Sequence, residues 1–207
     1  MTHLKMTLPI LLLLALATPT LAQTTGEADT AVSEETPDPL ELSMGEEGNT
    51  TPGEIKVGDV YVESEHGDWE IRCIKAEEGE KAPCQLYQLL KDSNGNPVAE
   101  INIFPLGGEG QPAAGATVIT PLESLLTAQL GMSVDGGAVK KYPYSWCSQI
   151  GCFSRIGFSA AEVAAFKNGI NASLIIVPVA AADQKVSLTV SLKGFTAGFK
   201  AATELAH

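Results

Sequence analysis

Four cysteines, at positions 73, 84, 147 and 152, limit what this chain can fold into more than any other feature. They fall as two close pairs, and three pairings are possible. The local pairing, Cys73 with Cys84 and Cys147 with Cys152, is favoured because each bond closes a short loop. Residues 74–83 read as a polar connection between two strands, and Ser148, Gln149, Ile150 and Gly151 as a tight turn. In the chain-entropy picture each closure removes unfolded-state freedom worth roughly 2–3 kcal/mol. Two other uses of cysteine fit the spacing badly. A structural zinc site commonly has two to four residues between the ligands of each pair, and only Cys147 and Cys152 meet that, since ten residues separate Cys73 from Cys84. A thiol oxidoreductase usually places two cysteines two residues apart at a helix start, whereas Cys147 and Cys152 are wider apart and flanked by strand-like residues.

An even cysteine count implies disulfides when the chain is exported, and the first 22 residues have the form of an export signal. Lys5 gives a weakly basic start, residues 8–17 are apolar apart from Pro9, and Thr20 and Ala22 place small residues at −3 and −1 of a cut after Ala22. The apolar run is too short for a spanning helix, which needs about 20 residues, so no transmembrane segment is expected in the mature chain. Residues 23–56 follow as an acidic linker. From 23 to 58 there are nine acids against Lys56 alone, with prolines 37, 39 and 52 and no aromatic residue. Such a segment cannot bury enough apolar surface to offset its chain entropy. Acids exceed bases overall, 25 to 13, which argues against nucleic acid as a partner and against adhesion to anionic lipid. Residues 57–202 are expected to form one domain, with 203–207 as a tail.

Within that domain apolar and polar residues alternate in many short runs, the signature of half-buried strands. Residues 69–73 put Trp69, Ile71 and Cys73 on one face, with Glu70 and Arg72 on the other. Similar runs occupy 59–62, 84–90, 98–104, 115–120, 132–134, 138–147, 152–158, 171–177 and 185–192. Asn94 with Gly95, and Asp135 with Gly136 and Gly137, mark turns. The pattern predicts an antiparallel sandwich or barrel. Ser159 and Glu162 form a capping box ahead of a helix over 160–168, and Gly169 reads as its left-handed stop. Residues 195–205 suggest a closing helix, and 122–130 are ambiguous between a helical turn and an irregular strand.

Catalytic chemistry is hard to find. Of His3, His66 and His207, the first leaves with the signal and the last is terminal, so His66 alone could serve as a base, and it reads as a solvated loop residue. The acids cluster in loops such as Glu77, Glu78 and Glu80, and residues 105–110 are glycine-rich without the Lys-Ser/Thr ending of a phosphate loop. No cofactor or metal is expected. Tyr142, Tyr144 and Trp146 form an aromatic cluster that reads either as core packing around Cys147 or as an interaction patch, since Tyr and Trp are favoured at binding hot spots.

Gly67, Asp68 and Trp69 followed by Cys73 and Cys84, then Val134, Asp135, Gly136 and Gly137, then Cys147 and Gly151, Cys152 and Phe153, then residues 190–196 (VSLKGFT) resemble the invasion associated locus B family of alphaproteobacterial envelope proteins. The resemblance implies an immunoglobulin-like antiparallel β-sandwich with one or two short helices. It implies residence in the periplasm, at the outer membrane or in the secreted fraction, and no enzymatic activity. It also implies binding to an envelope or host protein, with a contribution to host-cell invasion in pathogenic relatives. A small-ligand carrier and a thiol–disulfide redox protein are the rival readings.

Overall fold

Alternation in the sequence becomes two antiparallel sheets. The structure, a computed structural model, describes residues 54–106 and 112–206. The expected leader, the acidic linker up to residue 53 and part of the glycine-rich connection, 107–110, lie outside the described residues. The larger sheet has seven strands: β1 (Val60–His66), β2 (Trp69–Ile74), β3 (Cys84–Lys91), β4 (Pro97–Pro105), β5 (Ala114–Thr120), β8 (Trp146–Ser148) and β9 (Gly151–Phe158), in the order β1-β2-β3-β4-β5-β9-β8. The smaller has four: β6 (Leu130–Val134), β7 (Lys140–Tyr142), β10 (Asn171–Ile176) and β11 (Val186–Ser191), in the order β11-β10-β6-β7. The sandwich expectation holds as two packed antiparallel sheets. The strand order of the larger sheet is a five-strand meander extended by β9 and β8.

Register explains which residues form the core. Ile71 pairs with Leu86, Leu86 with Ile103 and Ile103 with Ala116, so these four share the inner face of the larger sheet. All four are nearly inaccessible, at 0–2 % exposure. Leu188, Val190, Leu174 and Met132 supply the facing layer from the smaller sheet. Both disulfides form as the spacing suggested, and both join directly opposed residues: Cys73 faces Cys84 across β2 and β3, and Cys147 faces Cys152 across β8 and β9.

Two helices close the inner side. Helix α1 (Ala160–Asn168) starts at the expected capping box, with both reciprocal hydrogen bonds between Ser159 and Glu162 present. Its stop differs from expectation. Gly169 has φ −79° and is extended, not left-handed. Crowding is the reason for glycine there: a Cβ would lie 2.8 Å from Val134 Cγ1 and 2.9 Å from Leu192 Cδ1. Helix α2 (Phe195–Ala206) turns Phe195, Gly198, Phe199 and Ala202 into the core and continues through residues 203–206, past the domain end expected at 202. The ambiguous stretch 122–130 divides into an isolated bridge between Ser124 and Pro178, a 3-10 turn at Leu126–Ala128 and the start of β6. No described helix is long and apolar enough to cross a membrane.

Candidate functional site

Two of the motifs behind the family resemblance, residues 67–69 and 190–196, converge on one place, and that place is structural. Trp69 Nε1 donates to the Ser191 carbonyl at 2.8 Å, and the Ser191 hydroxyl donates to Asp68 Oδ2 at 2.6 Å. Gln88, buried on β3, pairs its amide with the backbone of Ser191: Nε2 donates to the carbonyl at 3.1 Å and Oε1 accepts from the N–H at 2.9 Å. The Asp68 N–H donates to the Lys193 carbonyl at 3.1 Å. Gly67, at φ +62°, and Gly194, at φ +87°, let the two backbones touch; a Cβ on Gly67 would sit 2.6 Å from the Lys193 carbonyl oxygen, and one on Gly194 would collide with that of His66. Trp69 then meets Phe195 edge-on at 5.4 Å. This clasp joins the first hairpin to the end of β11 and the start of α2. Satisfied buried polar groups of this kind specify one arrangement of the core.

His66 ends β1, half-buried, with Nε2 3.1 Å from the Ser64 hydroxyl and its Cβ beside Gly198 of α2. It is a strand residue, not the solvated loop residue expected. Among the described residues no group of three His, Cys, Asp or Glu side chains is placed to hold a metal ion. All four cysteines are disulfide-bonded.

The expected aromatic patch does not stay together. Pro143 lies between β7 and β8, and there the chain leaves the smaller sheet for the larger. Tyr142 is therefore left on the inner side: its ring meets Phe158 edge-on at 6.4 Å and its hydroxyl donates to Glu162 Oε1 at 3.1 Å. Burial, with the Glu162 carboxylate adding to it, pushes the Tyr142 phenol well above the usual range. Tyr144 is half-buried against the core. Trp146 alone reaches open surface, 46 % exposed, with its indole stacked on Phe153 at 4.8 Å and 10° between planes.

Trp146 begins a row that sequence reading missed. Register carries it from Trp146 to Phe153, Ile119, Glu100 and Leu89, across five strands of the outer face. Ile150, 75 % exposed at the tip of the β8–β9 hairpin, joins Leu89, Pro97, Ile119 and Pro121 around a shallow groove of about 190 Å³. The next row holds Arg155, Thr117, Asn102, Tyr87 and Glu70. There the Arg72 guanidinium lies 3.3 Å from the centre of the Tyr87 ring and bonds Glu70 at 2.8 Å. Burial and Glu100 raise the Tyr87 phenol, and Arg72 partly opposes them. Among the described elements, both helices and the smaller sheet pack on the inner face; on the outer face Trp146, Leu89 and Ile150 are exposed, Phe153 and Ile119 half-buried, and Tyr87 and Asn102 buried by their neighbours. An exposed aromatic and aliphatic row rimmed by charge is the composition of a protein-binding surface. The sequence carried one usable signal, a large apolar residue in a disulfide-closed turn, but the row itself comes from strands far apart in the chain.

A family model described as invasion associated locus B (IalB) protein matches residues 69–203. Among solved structures, invasion associated protein B from Bartonella henselae is similar, with TM-score 0.59 and 23 % identity over 69 % of this chain and 95 % of that one. No curated protein matches.

Proposed function

The chain belongs to the invasion associated locus B family, and from that premise we infer that it is a non-enzymatic interaction protein of the cell envelope. It is exported by its leader, is released into the oxidising periplasm and docks another envelope or host protein there or at the outer membrane. In a pathogenic bearer that contact contributes to entry into host cells. The docking surface is the β8–β9 end of the outer face. The observation that carries this is the outer-face row in which Trp146 and Leu89 are exposed and Phe153 and Ile119 half-buried, with exposed Ile150 beside it. Of the expected patch, Trp146 alone stays in the contact.

Trp146→Ala should leave the chain folded and cost about 0.5–1.5 kcal/mol, the worth of its stacked pair with Phe153. It should lower capture of the partner by at least about tenfold, the loss of a Trp hot spot. The check is photo-crosslinking in intact cells from position 146 and, as control, from Thr189 on the outer side of the smaller sheet. The same partner, confirmed with purified protein, should crosslink from 146 and not from 189. Equal crosslinking from both positions, or a Trp146→Ala variant that binds like the parent, refutes the assignment.

A further inference from the structure

A second concave site lies beneath α1, away from the outer face. Its cavity is about 220 Å³. The deep end is apolar and inaccessible, formed by Phe158, Phe166 and Met132, each 2–3 % exposed. Three small residues, Gly137, Ala138 and Ala165, line it where larger side chains would fill it. Gly137, Ala138 and Ala165 are exposed, so the site is a cleft open at the surface over a buried apolar floor. An apolar cavity of about 150 Å³ is enough to hold a benzene ring.

Lys140, Tyr142 and Glu162 supply the polar lining. Glu162 is already saturated. Its Oε1 accepts from Lys140 Nζ at 2.7 Å and from the Tyr142 hydroxyl at 3.1 Å, and its Oε2 accepts from the Ser159 N–H at 2.9 Å and the Ser159 hydroxyl at 2.7 Å. A carboxylate offers about four acceptor sites, so none is left for a guest. What remains are further N–H donors on Lys140, an ammonium with three, and the lone pairs of the Tyr142 oxygen. The Lys140 and Glu162 charges cancel locally. A carboxylate guest would meet Glu162, and an ammonium guest would meet Lys140.

We propose that this cavity binds a small neutral amphiphile: an apolar body the size of a benzene ring or a six-carbon chain, bearing one hydroxyl. The guest oxygen accepts from Lys140, its O–H donates to the Tyr142 oxygen, and its body rests on Phe158, Phe166 and Met132. This does not depend on the outer-face reading. The test uses the full chain with 1-hexanol, hexanoate and hexylammonium as probes, followed through the Met132 methyl resonance and the thermal midpoint. 1-Hexanol should shift the Met132 signal saturably and raise the midpoint, as a ligand of the folded state must. Hexanoate and hexylammonium should bind at least about tenfold more weakly, the cost of an uncompensated charge in such a site. Ala165→Leu, on an exposed helix position that accepts leucine readily, should abolish the shift without lowering the ligand-free midpoint. Tyr142→Phe should weaken 1-hexanol by about threefold to tenfold, the usual worth of one hydrogen bond. No saturable shift with 1-hexanol, an undiminished shift in a folded Ala165→Leu protein, or equal binding of hexanoate would each overturn the proposal.

Discussion

The two ends of the seven-stranded sheet are built on opposite principles. At the β2–β3 end Cys73 is 1 % exposed, α2 lies across the strands, and the Ser191 clasp ties the hairpin to the smaller sheet. At the β9–β8 end Cys147 is exposed, and β8 is a three-residue edge strand whose residues all face solvent. The same covalent device therefore serves two purposes. The first disulfide reinforces a core that is already dense. The second holds a short edge in place, and with it the indole of Trp146 over Phe153. The docking surface proposed above lies at the end on which the core depends least.

That contrast can be tested by substitution. The largest effect should come from Trp69→Ala, which removes a 1 % exposed ring and a hydrogen bond to Ser191. The expected loss is about 3–5 kcal/mol in urea unfolding, and a loss below about 1 kcal/mol would show that the clasp is ornamental. Next, replacing both Cys73 and Cys84 by alanine should cost about 3 kcal/mol, and replacing both Cys147 and Cys152 about 2 kcal/mol, from the loop lengths each closes. The second pair should weaken partner capture more than the first at a temperature where both variants are folded. Equal effects on capture would erase the distinction between the two ends.

The smallest of these effects concerns Glu162, which ties α1 to β7. Burial alone would raise its carboxyl, but hydrogen bonds from Lys140, Ser159 and Tyr142 outweigh it and lower the group from 4.5 to about 2. A carboxyl depressed by folding contributes stability above its unfolded pKa and loses it as pH falls through the folded value. Glu162→Gln should therefore cost about 1 kcal/mol at pH 7, and the gap to the parent should close between pH 4.5 and about 2. A gap that stays constant over that interval would assign the residue to packing alone.

Much of the fold was legible because its cues are local. Trp69, Ile71 and Cys73 alternate as a strand must, and the Ser159–Glu162 box announces α1 within four residues. The errors share a cause. Gly169 was read from the residue type as a left-handed stop, whereas Val134 and Leu192, distant in sequence, are what exclude a Cβ there. Tyr142, Tyr144 and Trp146 read as one cluster because they are neighbours in the chain. The break at Pro143 sends Tyr142 and Trp146 to different sheets and leaves Tyr144 in the connection. Gln88 looked like one residue in an alternating run, and its task depends on a partner 103 residues away. The outer row was invisible for the same reason, since its members meet only once register is known.

The clasp also has a bearing on when the molecule can become itself. Asp68, Trp69 and Gln88 are made early, but their shared partner, Ser191, comes 123, 122 and 103 residues later. Contacts this remote in sequence are slow to form, and a chain synthesised from its N-terminus can pair β1 to β5 long before it can lock them. Until β11 and α2 arrive, the face that carries Leu86 and Ile103 is only partly covered. Completion of this fold therefore waits on β11 and α2, and a product truncated ahead of Ser191 would lack the clasp that ties the first hairpin to the smaller sheet.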